Sequence, residues 1–202
     1  MLLDLPLADA SLLMDPVWLP ATRADALMAQ LREGLDWEVH RIRMFGRMVD
    51  SPRLSSWIGD PGLGYVYSGT RFEPRPWHPA LLPLRAELAC LLGVEFNSVL
   101  ANRYRDGRDA MGWHSDDERE LGPCPVIASV SLGATRRFVL KHRREPGRKL
   151  GLDLPNGSLL VMRGDTQAHY RHALPRTARA LADRINLTFR HIGTRQMGSG
   201  LA

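Results

Sequence analysis

From residue 98 onward, apolar and polar positions alternate in short runs. Residues 98–104, 126–132, 137–142, 158–163 and 184–192 each read as a strand, because successive side chains of an extended backbone point to opposite faces. Turn signals separate the runs, at Asp106-Gly107, Pro146-Gly147, Pro155-Asn156-Gly157 and Gly164-Asp165. That rhythm predicts a sandwich or barrel rather than a parallel βαβ sheet. Before residue 98 the period changes. Leu27, Met28, Leu31 and Leu35 form a helical stripe that opens at Pro20 and Thr22 and has Gly34 near its end. A second helix covers residues 79–92, started by proline and stopped by Gly93. Between the helices, a short strand around Tyr65 and Tyr67 carries both rings on one face. Residues 1–20 read as an extended leader with no assigned role, and the last ten residues as a loose tail. The expected fold class is mainly β with flanking helices (α+β). A single domain over 1–202 is expected, with an N-terminal extension over 1–97, a core over 98–192 and a tail over 193–202.

A length of 202 residues suits one domain. The formal charge of +5, from 27 basic against 22 acidic residues, favours a polyanionic partner. Only Cys90 and Cys124 occur, without CxxC spacing, so a disulfide framework is not expected and a reducing compartment fits. The first residues carry acids inside an apolar run and lack a basic segment, unlike a signal peptide. No apolar run approaches the roughly 20 residues of a membrane span. The expectation is a cytoplasmic monomer without a membrane partner.

The chemistry gathers around His114-Ser-Asp116. Two positions apart on an extended backbone, an imidazole and a carboxylate share a side. One further histidine would complete a 2-His-1-carboxylate face, which leaves open positions on iron(II). His142, His169, His172 and His191 are the candidates. Residues 169 and 172 are an odd number apart, so an extended segment sends them to opposite faces and at most one serves. Spacing leaves the choice open. Along 184–190, Arg184, Asn186, Thr188 and Arg190 share one face while Ile185, Leu187 and Phe189 share the other. An inward polar row is expensive to desolvate unless it meets an anion, and arginine's planar fork matches a carboxylate. Residues 136–149 hold seven Lys or Arg and one acid, a strip suited to phosphates through Arg136, Arg137, Lys141, Arg143 and Arg144.

In combination, Asn102-x-Tyr104, His114-x-Asp116, a distal His before Ala173-Leu174-Pro175, and Arg184-x-Asn186-x-Thr188-x-Arg190 resemble the AlkB-type iron(II)/2-oxoglutarate dioxygenases. The similarity runs from about residue 41 to residue 192. The resemblance implies a jelly-roll (double-stranded β-helix) core and selects His172 over His169. It implies that His114, Asp116 and His172 hold Fe(II). Asn102, Tyr104, Arg184, Asn186, Thr188 and Arg190 would surround 2-oxoglutarate, with Arg184 on its far carboxylate. The resemblance further implies O2 as co-reactant, with 2-oxoglutarate leaving as succinate and a hydroxylated N-methyl group collapsing to formaldehyde. The implied substrates are 1-methyladenine and 3-methylcytosine, whose failed pairing eases extrusion from a duplex.

Met44-Phe45-Gly46, the Tyr65/Tyr67/Ser68 strand and the run from Asp116 to Leu121 look like the branch that repairs double-stranded DNA. By that resemblance Phe45 fills the gap left by the flipped base, and Tyr65 and Tyr67 stack on the lesion. Ser68 joins them, and Asp117 and Glu118 meet the lesion's positive charge. The expected partner is DNA, as duplex or single strand. RNA or single-strand demethylation, or an inactive nucleic-acid-binding module, stand as alternatives.

Overall fold

The computed structural model describes residues 1–39, 41–44, 47–63, 65–67, 70–179 and 181–193; at 41–44, 47–49, 65–67 and 70–72 the description is of the backbone. The chain begins with β1 (Leu3–Leu5) and β2 (Ser11–Asp15), then α1 (Ala21–Gly34). A hairpin of β3 (Arg41–Met44) and β4 (Arg47–Asp50) precedes β5 (Leu54–Gly59). A second small pair, β6 (Tyr65–Tyr67) and β7 (Thr70–Phe72), leads to α2 (Leu81–Leu92). Gly93, at φ 66°, stops α2 in the left-handed conformation that glycine tolerates, as the sequence predicts.

The second half supplies β8 (Ser98–Tyr104), β9 (Met111–His114), β10 (Ile127–Gly133) and β11 (Arg136–His142). Then follow β12 (Lys149–Leu154), β13 (Leu159–Arg163), the short α3 (Thr166–His169), β14 (Tyr170–Leu174) and β15 (Arg184–Arg190). Two antiparallel sheets form the sandwich. The larger runs β1-β2-β13-β10-β15-β8-β5 and the smaller β12-β11-β14-β9. The mainly β, jelly-roll expectation holds.

Alternation decides what lies between the sheets. Ile185, Leu187 and Phe189 of β15, with Val99 and Ala101 of β8, pack in one core with Leu27 and Leu31 of α1 and Leu84 and Leu88 of α2. The opposite faces of the same strands turn toward the smaller sheet. At one end of that interlayer, Leu12, Ile127, Leu140, Leu154, Leu160, Met162 and Tyr170 form a second apolar core. At the other end the interlayer is polar, and the site lies there.

Three strands depart from expectation. The leader is extended, as expected, but it is built into the larger sheet: β2 pairs with β13 from Ser11↔Arg163 to Asp15↔Leu159 and β1 pairs with β2. With β5, they bring three strands from before residue 98 into the larger sheet.

Candidate active site

His114 closes β9 and stands opposite His172 of β14 in the ladder, with ring centroids 4.2 Å apart. Asp116 lies two residues beyond the end of β9, so strand pairing does not hold it. Instead its backbone N–H donates to Gln167 Oε1 of α3 at 2.9 Å, a contact buried on both sides. This turns the carboxylate back, and Asp116 Oδ1 comes 4.0 Å from His114 Nε2. The ligand atoms of His114, Asp116 and His172 all lie within 4.8 Å of one another.

The tautomer suits a metal. His114 Nδ1 sits 2.8 Å from the carbonyl of Gly112. A carbonyl only accepts, so the network assigns the hydrogen to Nδ1 and leaves the Nε2 lone pair free. Burial lowers the pKa of both rings; His172, also facing His114, is pushed down to about 3. Burial alone would raise Asp116, but Arg190 and the two histidines outweigh it and hold the carboxyl below its usual value. All three groups are therefore deprotonated near neutrality, the state that metal ligands require. Arg190 Nη2 donates to Asp116 Oδ1 at 2.7 Å. Arg190 thus braces the metal carboxylate while it also lines the pocket.

Asp9, His142 and His169 form a second cluster with ligand atoms within 4.8 Å. Its chemistry differs. His142 Nδ1 accepts from the backbone N–H groups of Arg144 at 3.2 Å and Glu145 at 2.9 Å. A ring nitrogen facing two donors carries the lone pair, so the hydrogen sits on Nε2 and no lone pair remains there for a metal. Arg148 Nη1 also donates to Asp9 at 2.8 Å. The cluster ties the leader to the β11–β12 hairpin and does not compete for iron. His191 is exposed beyond β15. Of the four candidate histidines, His172 alone joins His114 and Asp116.

The pocket beside the triad is lined by Asn102, Tyr104, Arg184, Asn186, Thr188 and Arg190, all six residues expected around 2-oxoglutarate. Arg184 is 1% exposed. Its Nη2 donates to Ser131 Oγ at 2.9 Å and Asn186 Oδ1 at 2.8 Å, and its guanidinium lies 5.3 Å from the Tyr104 ring centre. Its Nε and Nη1 are buried without a partner. Burial pushes its pKa down to about 10, which marks a charge with too little compensation. A carboxylate with two acceptor oxygens supplies what these nitrogens lack. Asn102 Oδ1 accepts from Arg53 Nε at 2.7 Å, and Asn186 Nδ2 donates to Thr188 Oγ1 at 2.9 Å.

A larger open cleft of about 650 Å³ runs past Ser51, Arg105, Arg108 and Arg176. Among the described residues that line it there is no histidine.

These observations meet the comparisons with known proteins. The family described as the 2OG-Fe(II) oxygenase superfamily matches residues 11–190. The chain belongs to that superfamily. It is a dioxygenase that uses Fe(II), 2-oxoglutarate and O2. The DNA oxidative demethylase ALKBH2 of Homo sapiens is 42% identical over 179 residues, covering 84% of this oxygenase and 69% of the relative. The alpha-ketoglutarate-dependent dioxygenase alkB homolog 3 of Homo sapiens is 37% identical over 186 residues, covering 88% and 64%. The solved structure of OsALKBH1 shares the fold with a TM-score of 0.61 at 15% identity, over 95% of this chain and 100% of that one.

The oxygenase's residues expected at the nucleic acid fare unevenly. Phe45 and Ser68 lie outside the described residues, and for Tyr65 and Tyr67 the description is of the strand backbone. Asp117 and Glu118 are exposed, and Arg143 bonds both Asp117 and Ser115 Oγ. Arg136 is a correction. It is 3% exposed, and its guanidinium donates to the carbonyls of Asp106, Asp109 and Pro175 at 2.8–3.0 Å. Those carbonyls fix a buried strut between loops, out of reach of a phosphate. Arg137 pairs with Asp153 at 3.2 Å, Lys141 lies 4.9 Å from the Trp113 ring centre, and Arg144 is exposed.

The motifs did not indicate Gly112, Gln167, Arg53 or Ser131. Each acts through one long-range or carbonyl contact, for which a single sequence carries no spacing signal. No helix among the described residues is long and apolar enough to cross a membrane. Both cysteines are free and exposed.

Proposed function

We propose that this oxygenase removes N-methyl groups from 1-methyladenine and 3-methylcytosine in DNA, acting as a monomer in a reducing, cytoplasmic setting. The observation that carries the reading is one pocket holding a metal-competent His-Asp-His set beside Arg184, whose two buried nitrogens lack a partner. The relatives named DNA oxidative demethylase support DNA as the polymer acted on. We assign Fe(II) to His114, Asp116 and His172, and 2-oxoglutarate to Asn102, Tyr104, Arg184, Asn186, Thr188 and Arg190.

Bound iron supplies the activation of O2. The chain's own groups bind and orient. Arg184 grips the far carboxylate of the cosubstrate, while Ser131 and Asn186 keep its fork in plane. Arg190 keeps Asp116 ionised and fixed as one of the three groups that would hold the metal. Leu100, Met111, Phe138, Met162 and Leu174 give the pocket apolar walls that exclude water. The balance is closed. The N-methyl base, 2-oxoglutarate and O2 become the N-hydroxymethyl base, succinate and CO2; the hydroxymethyl then leaves as formaldehyde, its hydroxyl proton passes to water, and the C–N electron pair returns to the ring nitrogen of the neutral base.

Duplex DNA is the preferred form in this reading. Phe45 follows β3 and precedes β4 in the sequence, and its ring is assigned to the gap left by the extruded base. Tyr65, Tyr67 and Ser68 hold the base, and Asp117 and Glu118 meet its charge. Arg137, Lys141, Arg143 and Arg144 take phosphates. The test is formaldehyde release from methylated duplex, single-stranded DNA and RNA oligomers, with wild type and Phe45→Ala. The reading expects duplex turnover, and a larger loss for the variant on duplex than on single strands. Turnover of RNA alone, or an equal loss on both DNA forms, overturns the duplex assignment. No formaldehyde from any of them overturns the function.

A further inference from the structure

The outer face of the smaller sheet carries a charge pattern that folding does not explain. On β11, Arg136, Phe138, Leu140 and His142 turn inward, which sends Lys141 out. The ladder sets Lys141 directly opposite Lys149 of β12 and Arg171 of β14. Three cations therefore stand side by side across three strands, about 10 Å from end to end at the backbone. Like charges placed directly opposite destabilise a sheet. Among the described residues no carboxylate pairs with Lys149, Lys141 or Arg171, whereas neighbouring Arg137 has Asp153. Lys149 and Arg171 are exposed.

Beside this row stands Trp113 of β9. It is 46% exposed, with the Lys141 ammonium 4.9 Å from its ring centre. It precedes His114, so the edge strand shows an iron-site histidine on one face and an open indole on the other. Exposed tryptophan is a large apolar surface to leave in water, and the cation over it lowers its worth as a place for another protein's apolar side chain. A cationic row beside an aromatic plane suits a polyanion with flat rings.

We propose that this outer face binds single-stranded nucleic acid, with Trp113 stacking one base and Lys149, Lys141 and Arg171 taking successive phosphates. The assignment to a single strand follows from the indole, since a base within a duplex is already stacked. The strand would pass over the β9 edge, from the interlayer pocket to the outer face. This inference rests on the nucleic-acid reading above for the kind of polymer, but not on turnover.

The test is fluorescence anisotropy across a salt series with the purified protein and three probes: an unmethylated twenty-nucleotide oligo-dT, a duplex of the same length, and inorganic polyphosphate. Trp113→Ala is expected to weaken oligo-dT binding about tenfold and to leave polyphosphate binding unchanged, with Trp113→Phe restoring most of the loss. Lys149→Gln with Arg171→Gln is expected to weaken both and to flatten the oligo-dT salt slope by about 1.4 log units per log unit. That pair relieves like-charge repulsion, so its melting temperature should not fall, which separates lost binding from lost folding. Oligo-dT affinity and salt slope equal to wild type in these variants overturn the proposal. So does a Trp113→Ala loss as large on polyphosphate or duplex as on oligo-dT. Because no probe is methylated, absence of demethylation sinks the function and leaves this measurement intact.

Discussion

Replacing Arg184 tests whether its two unpartnered nitrogens await a ligand. The guanidinium is 1% exposed, with Nε and Nη1 lacking a protein partner. An unsatisfied buried donor costs roughly 1–3 kcal/mol, and a hydrogen bond to a charged group contributes about 1.5–3 kcal/mol. Arg184→Lys keeps the charge and loses the fork, so apparent 2-oxoglutarate affinity should fall by roughly 10- to 100-fold. Arg184→Met removes charge and unsatisfied donors together at similar volume, a change that is often neutral or stabilising by about 1–4 kcal/mol. Loss of the bonds to Ser131 and Asn186 offsets part of that gain. The assay is thermal unfolding with a divalent metal present, with and without 2-oxoglutarate. At a hundred times its dissociation constant, a ligand stabilises by about 2.7 kcal/mol. For a chain of this size that is a rise of roughly 5–11 °C. Wild type should show this rise. Arg184→Met should show none, from a ligand-free melting temperature equal to wild type or higher. A full 2-oxoglutarate-induced rise in Arg184→Met refutes the assignment. A collapse of its ligand-free stability refutes the claim that the guanidinium is held ready for an anion.

Three further predictions use other parts of the site. Removing His114, Asp116 or His172 should abolish stoichiometric iron binding, measured by metal analysis after gel filtration, while His169→Ala and His142→Gln retain it; iron retained by His172→Ala would move the centre. The folded, metal-free His172 stays neutral down to about pH 3, whereas the unfolded ring titrates near 6.5. Below pH 6.5 the unfolded chain therefore takes up a proton that the fold refuses, and stability falls with pH. Melting temperature in chelator should drop between pH 6.5 and 3, less steeply in His172→Gln, and identical profiles would remove His172 from this role. Arg136→Met should lower the melting temperature by roughly 2–12 °C, because several buried carbonyls lose their donor, and should leave the salt slope of DNA binding unchanged; a flatter slope would return Arg136 to the surface.

The sequence was most informative where a strand buries both faces against different neighbours. Ile185, Leu187 and Phe189 against the helices, with Arg184, Asn186 and Thr188 toward the interlayer, follow directly from period-two alternation, as do Asn102 and Tyr104 on β8. Parity leaves the choice between His169 and His172 open, and its premise of an extended segment does not hold there, because His169 ends α3; the family resemblance is what singles out His172. β9 and β14 give no clear strand signal because both are short and carry the site's own polar residues, which mask alternation. β2 reads as a leader because its partner β13 lies about 150 residues away, and no local pattern encodes such a pairing. A run of charges reports composition, whereas burial depends on which face of β11 each residue occupies, so the run does not distinguish the buried Arg136 from its exposed neighbour Arg137. Gln167, which holds Asp116 in place, is legible only in three dimensions.

The most direct measurement is the coupling ratio of the two products. Protein loaded with Fe(II) is given 2-oxoglutarate, O2 and an oligomer containing 3-methylcytosine, and succinate and formaldehyde are counted together. The account predicts equal amounts of the two, both lost in His172→Ala and both lowered in Arg184→Lys at limiting 2-oxoglutarate. Succinate without formaldehyde, or formaldehyde that persists in His172→Ala, would contradict the claim that this pocket demethylates DNA.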